Sequence, residues 1–134
     1  DVTMDFISEV SKVVTTALQE LSVNEAALAN LKRKYTPPKS PYFVENVDRT
    51  AEFIAYKKHE TALLEERQKT QESAEKAIAT ATAAYKKSAV APLQAAADRF
   101  ADDAEHLLLY PEKLSEIETL LQEIIPGELK ENVK

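Results

Sequence analysis

Residues 46–110 run for sixty-five positions without a glycine and with a single proline, Pro92. A segment that long with almost no turn-forming residue has one regular conformation open to it, the α-helix. The rest of the chain agrees: it holds one glycine in 134 residues, 44% hydrophobic and 30% charged side chains, a balance typical of long helices. The expected fold class is all-α. A chain of this length buries roughly two-thirds of the surface its unfolded form exposes, enough for a single helical bundle domain over residues 1–134.

Helical periodicity is plain from the amino terminus. Ile7, Val10, Val14, Ala17, Leu21, Leu28, Leu31 and Tyr35 recur at three- and four-residue spacing, with Phe6, Val13 and Leu18 widening the stripe. Thr3 is the expected N-cap, and Lys32, Arg33 and Lys34 suit the negative end of the helix dipole. Asn24 interrupts the seam, either as a buried residue setting register or as a polar residue at the rim. Three prolines within 36–41 end this helix, leaving residues 36–43 as a Pro-rich connector.

A second stripe starts with Val47, Ala51, Ile54 and Ala55, broadened by Phe53, Tyr56, Leu63 and Leu64, with Asn46 or Asp48 as candidate caps. Residues 65–73, EERQKTQES, contain no apolar side chain, so a helix there has no face that demands burial. From Ala74 the stripe resumes with Ala77, Ile78, Ala81, Ala84, Tyr85 and Ala89, small residues that let a neighbouring helix approach closely. Pro92 cannot continue a regular helix. Beyond it, Leu93, Ala97, Phe100, Ala104, Leu107, Leu114, Leu121 and Ile125 keep one seven-residue frame across Pro111, which implies a single returning arm bent there or two short helices. Pro126-Gly127 reads as a helix stop, and residues 128–134 as a frayed charged tail.

Two architectures fit. In one, three helices of about 33, 46 and 34 residues form an elongated antiparallel three-helix bundle, with a long central helix reversing near 90–92. In the other, an up-down four-helix bundle turns within 65–73. The first uses the only breakers present, since 65–73 lacks Gly, Pro and Asn.

Charge and motifs narrow the function. A net charge of −6 disfavours nucleic acid, whose phosphates need a basic face. No apolar run approaches the roughly 18 residues of a membrane span, and peripheral membrane association is the most a bilayer could offer. Without cysteine there is no disulfide or thiolate metal site, and Gly127, the only glycine, forms no phosphate loop. No nucleophile motif is present, so no catalytic residue and no cofactor is expected. Asp98, Asp102, Asp103 and His106 could share a helix face and form half of a carboxylate-histidine metal motif, but no second copy exists, because Tyr56 stands three before His59. A chain starting at Asp1 fits either a processed amino terminus, hence a secreted, periplasmic or organelle location, or an excised domain.

The expected function is therefore a non-catalytic helical interaction or structural module, an accessory subunit, spacer or adaptor with a protein partner. Candidate partner-binding residues are Pro38, Pro41, Tyr42 and Phe43 in the connector, where Pro38 and Pro41 have PxxP spacing, and Arg67, Gln68 and Gln71 in the polar stretch. The alternative is an amphipathic-helix lipid or membrane-surface binding protein, weakened by the acidic charge and the lack of Trp.

Overall fold

The computed structural model describes residues 1–35 and 51–133. Among them are five α-helices, α1 (Val2–Lys34), α2 (Ala51–Lys86), α3 (Ala91–Leu107), α4 (Ile117–Ile124) and α5 (Gly127–Asn132), with a 3₁₀ helix at Pro111–Glu116 and no strand. The connector, its four candidate residues and the candidate caps Asn46 and Asp48 lie outside the described residues.

α1 buries the first part of the stripe its spacing predicts, with Phe6, Val10, Val14, Leu18 and Leu21 all inside, while Leu28, Leu31 and Tyr35 farther along are only half-buried. Its cap is not Thr3 but Asp1, whose carboxylate accepts the Thr3 N–H at 3.0 Å. Thr3 is buried instead, its Oγ1 2.9 Å from the Tyr85 hydroxyl and accepting from Asn132 Nδ2 at 2.7 Å. These bonds bring the start of α1, the end of α2 and α5 to one end of the molecule. The Phe6 ring fills that end, stacked on Tyr85 at 4.5 Å and edge-on to Phe100 at 5.8 Å.

α2 is helical through residues 65–73, so the turn of the four-helix alternative is absent. The chain reverses after Lys86. Ser88 and Ala89 donate their N–H groups back to Tyr85 and Lys86, and the Gln94 amide donates to the Lys86 and Ala89 carbonyls at 2.9 and 3.0 Å, satisfying acceptors that a helix end orphans. Pro92 falls in the first turn of α3, where its missing N–H has no partner to lose. The short turn between Lys86 and Ala91 runs α3 back along α2, and Lys86 pairs with Asp98 at 2.9 Å across the two helices.

Beyond Pro92 the third arm of the expected three-helix bundle is not one bent helix: the two-short-helix form is the nearer one, with Pro111 opening the second part and the chain reversing again between the two. Leu108, Leu109 and Tyr110 each donate an N–H to a carbonyl three residues back, which tightens the end of α3, and buried Pro111 opens the 3₁₀ helix. The chain then returns along α1 and α3 through α4 and α5, as the Arg99–Glu128 pair at 2.9 Å and the Thr3–Asn132 bond require. Residues 127–132, expected to fray, form α5 with Leu129 fully buried. Gly127 starts that helix rather than stopping one, because Pro126 in an extended conformation serves as its N-cap.

The core is thus a four-segment up-down-up-down packing of the first half of α1, the last third of α2, α3 and the returning segments. Ala96, Ala97, Ala101 and Ala104 line its α3 side, all buried, so close helix approach substitutes for large side chains. α1 and α2 extend past it as a two-helix arm, residues 22–35 facing 51–66, and residues 67–73 of α2 lead from the arm into the bundle beside 16–20 of α1.

Candidate functional site

The arm is where this fold leaves its surface uncovered. Asn24 is the only buried residue on it among those described; α2 buries nothing before Ala74. EERQKTQES explains the second fact, since a helix without apolar residues draws no neighbours over itself.

Asn24 lies inside the helix pair rather than at the rim. Its Nδ2 donates to the Leu63 carbonyl at 2.8 Å, a helix-interior acceptor with a lone pair to spare, while its Oδ1 is buried with no hydrogen-bond partner among the described residues. One direct bond across thirty-nine residues fixes the relative height of α1 and α2. Toward the tip, Tyr35 stacks on Tyr56 at 4.8 Å and meets Phe53 at 6.1 Å. The Tyr56 hydroxyl donates to Glu60 at 2.9 Å and Lys57 pairs with the same carboxylate at 3.2 Å. These partners hold the Glu60 carboxyl below its usual range, the tyrosine bond contributing most, and the same bond raises the Tyr56 hydroxyl.

The arm has two long sides. One is an open groove of about 940 Å³, lined by half-buried Leu31, Tyr56 and Leu63 and by Ala27, Ala55 and Ala62. A smaller hollow of about 250 Å³, bounded by Thr16, Glu20, Thr70 and Ser73, continues the same side toward the bundle. The other side carries Leu64, Gln68 and Gln71, which share one helical stripe with Glu75, Thr82 and Lys86 by their three- and four-residue spacing. α3 covers the lower part of that stripe, as Lys86–Asp98 shows, and Glu75 and Asp102 reinforce the burial that raises the Glu105 carboxyl. At the height of Leu64, which is 49% exposed, α3 has ended.

The candidates named from sequence distribute as follows. Arg67 and Gln71 are half-buried, and exposed Gln68 donates to Glu72 at 2.9 Å. Asp98 is committed to Lys86, Asp102 and Asp103 are exposed, and His106 lies against the Tyr110 ring at 5.6 Å. Among the described residues no three His, Asp or Glu side chains come together as metal donors. His59 sits on the groove wall. Residue spacing does not reveal the aromatic cluster or the groove; Tyr35, Phe53 and Tyr56 are each visible as stripe residues, but their meeting depends on the height at which the two helices pair. No described helix is long and apolar enough to cross a membrane. Comparison with known proteins finds no matching family model, no similar curated protein and no similar solved structure.

Proposed function

We propose that the chain is a non-catalytic helical interaction or structural module, an accessory subunit, spacer or adaptor whose bundle anchors an arm for a protein partner. The observation carrying this reading is the half-covered stripe of α2: α3 packs on its lower part, and Leu64 and Gln68, with half-buried Gln71, continue it beyond the end of α3. A partner helix laid there would extend the bundle by the same ridge-and-groove packing that α3 already uses. Leu64 supplies the apolar anchor, and the glutamines supply hydrogen bonds at its edge.

The test is site-specific photo-crosslinking of the full chain in an extract of its native source, with the reactive residue at Gln68 or at exposed Ser8 on the bundle. A discrete adduct at position 68, absent at position 8 and abolished by Leu64→Glu, is expected. Adducts that form equally at both positions, or survive Leu64→Glu, contradict the arm as the docking element.

A further inference from the structure

The groove on the opposite side of the arm is self-complementary in charge. On its α1 edge, exposed Glu20 and Lys34 flank Ala27, which stands midway between them. On the α2 side, exposed Glu52 lines the groove and exposed Lys69, seven residues beyond the groove residue Ala62, continues the same helical row; the two flank a midpoint at 60–61, between His59 and Ala62. The carboxylate at that midpoint, Glu60, is already engaged by Tyr56 and Lys57. Because Asn24 pairs with Leu63 and Tyr35 with Tyr56, the two midpoints lie at the same height along the arm. None of the four flanking charges has an ion partner among the described residues.

A two-fold axis through that height, perpendicular to the helices, turns each pair on itself. It sets Glu20 against Lys34 and Glu52 against Lys69 of a second copy, each contact made twice. It also places Ala27 on Ala27, where small side chains admit close approach of two α1 helices, and puts the two bundles at opposite ends. From this pattern we infer that the groove is the interface of an antiparallel homodimer, two arms forming a four-helix bundle by an isologous contact. The arm's α1 portion is about 21 Å long and the face two helices wide, which buries on the order of 1,000 Å² in total, the lower limit for a specific interface. Association is therefore expected to depend on concentration. The Leu64–Gln71 side stays open in the dimer, so self-association and docking of another protein are tested independently.

Sedimentation velocity of the full chain from about 5 to about 500 µM at low salt should show a rise from 14.9 kDa toward twice that mass. Lys34→Glu or Glu20→Lys alone puts like charges face to face twice and should weaken the dimer about tenfold. The double exchange Glu20→Lys with Lys34→Glu should restore it, as should Glu52→Lys with Lys69→Glu. Within one chain Glu20 and Lys34 are about 21 Å apart along α1, too far to pair, so rescue is possible only between copies. A 14.9 kDa species at every concentration, or a dimer that neither double exchange restores after its single variants weaken it, overturns the inference. A dimer indifferent to all four single variants overturns it as well, since its interface lies elsewhere.

Discussion

Thr3 shows how much one hydroxyl can organise. It joins Tyr85 and Asn132, residues on two other helices, in a site where Thr3 and Tyr85 are both buried. Thr3→Val keeps the shape, removes both bonds and leaves the Tyr85 hydroxyl desolvated, so urea denaturation should show a loss of about 1–3 kcal/mol. Glu105 is the opposite case. Burial raises its carboxyl, with Glu75 and Asp102 adding to the effect, so the folded state binds its proton more tightly than the unfolded chain does. Its ionisation thus opposes folding near pH 7, and that penalty fades as pH falls through the raised folded-state value. Glu105→Gln should raise Tm by roughly 1–3 °C near pH 7 and by nothing near pH 4, measured by thermal circular dichroism. Neither residue could be singled out from sequence, because Thr3 meets partners 82 and 129 positions away and Glu105 meets a carboxylate on another helix.

Among the elements, α1 was the most legible: Ile7, Val10, Val14, Ala17 and Leu21 are all buried as their spacing requires. Pro92 also marked its boundary correctly, since the α2–α3 turn precedes it. The return of the chain after α3 was not legible. Apolar spacing records which face is buried and is blind to chain direction, so the frame through Ala104, Leu114 and Leu121 runs unchanged across a reversal made by three backbone bonds at 108–110. Asn24 was visible as a break in the seam, while its acceptor, a backbone carbonyl, leaves no mark in a sequence. The alanine face of α3 gives a prediction at this scale. Ala97 is fully buried, so Ala97→Leu forces the helices apart and should cost about 1–3 kcal/mol by urea denaturation, whereas Ala95→Leu, on the exposed side, should cost well under that.

At the scale of the whole molecule, burial is graded along the long axis. The bundle end holds Phe6, Tyr85, Phe100 and Leu129, all buried, and the arm holds only Asn24 among the described residues. Amide exchange should follow that gradient: residues 6–21 and 74–85 open only with global unfolding, while 25–34 and 53–66 exchange faster through local opening. Uniform protection along α1 and α2 would contradict it. The two ends are nonetheless joined by one uninterrupted rod. At 1.5 Å per residue, the thirty-six residues of α2 measure about 54 Å from Ala51 to Lys86. Because 65–73 carries no apolar side chain, that stretch sets distance and angular phase while adding nothing to the apolar core. Removing seven residues there, matched by seven from the stretch of α1 that faces it, would draw whatever is held at the tip about 10 Å nearer the bundle while turning it by only some 20°. α2 is in this sense a molecular ruler, with its graduations written in residues that add no side chain to the core.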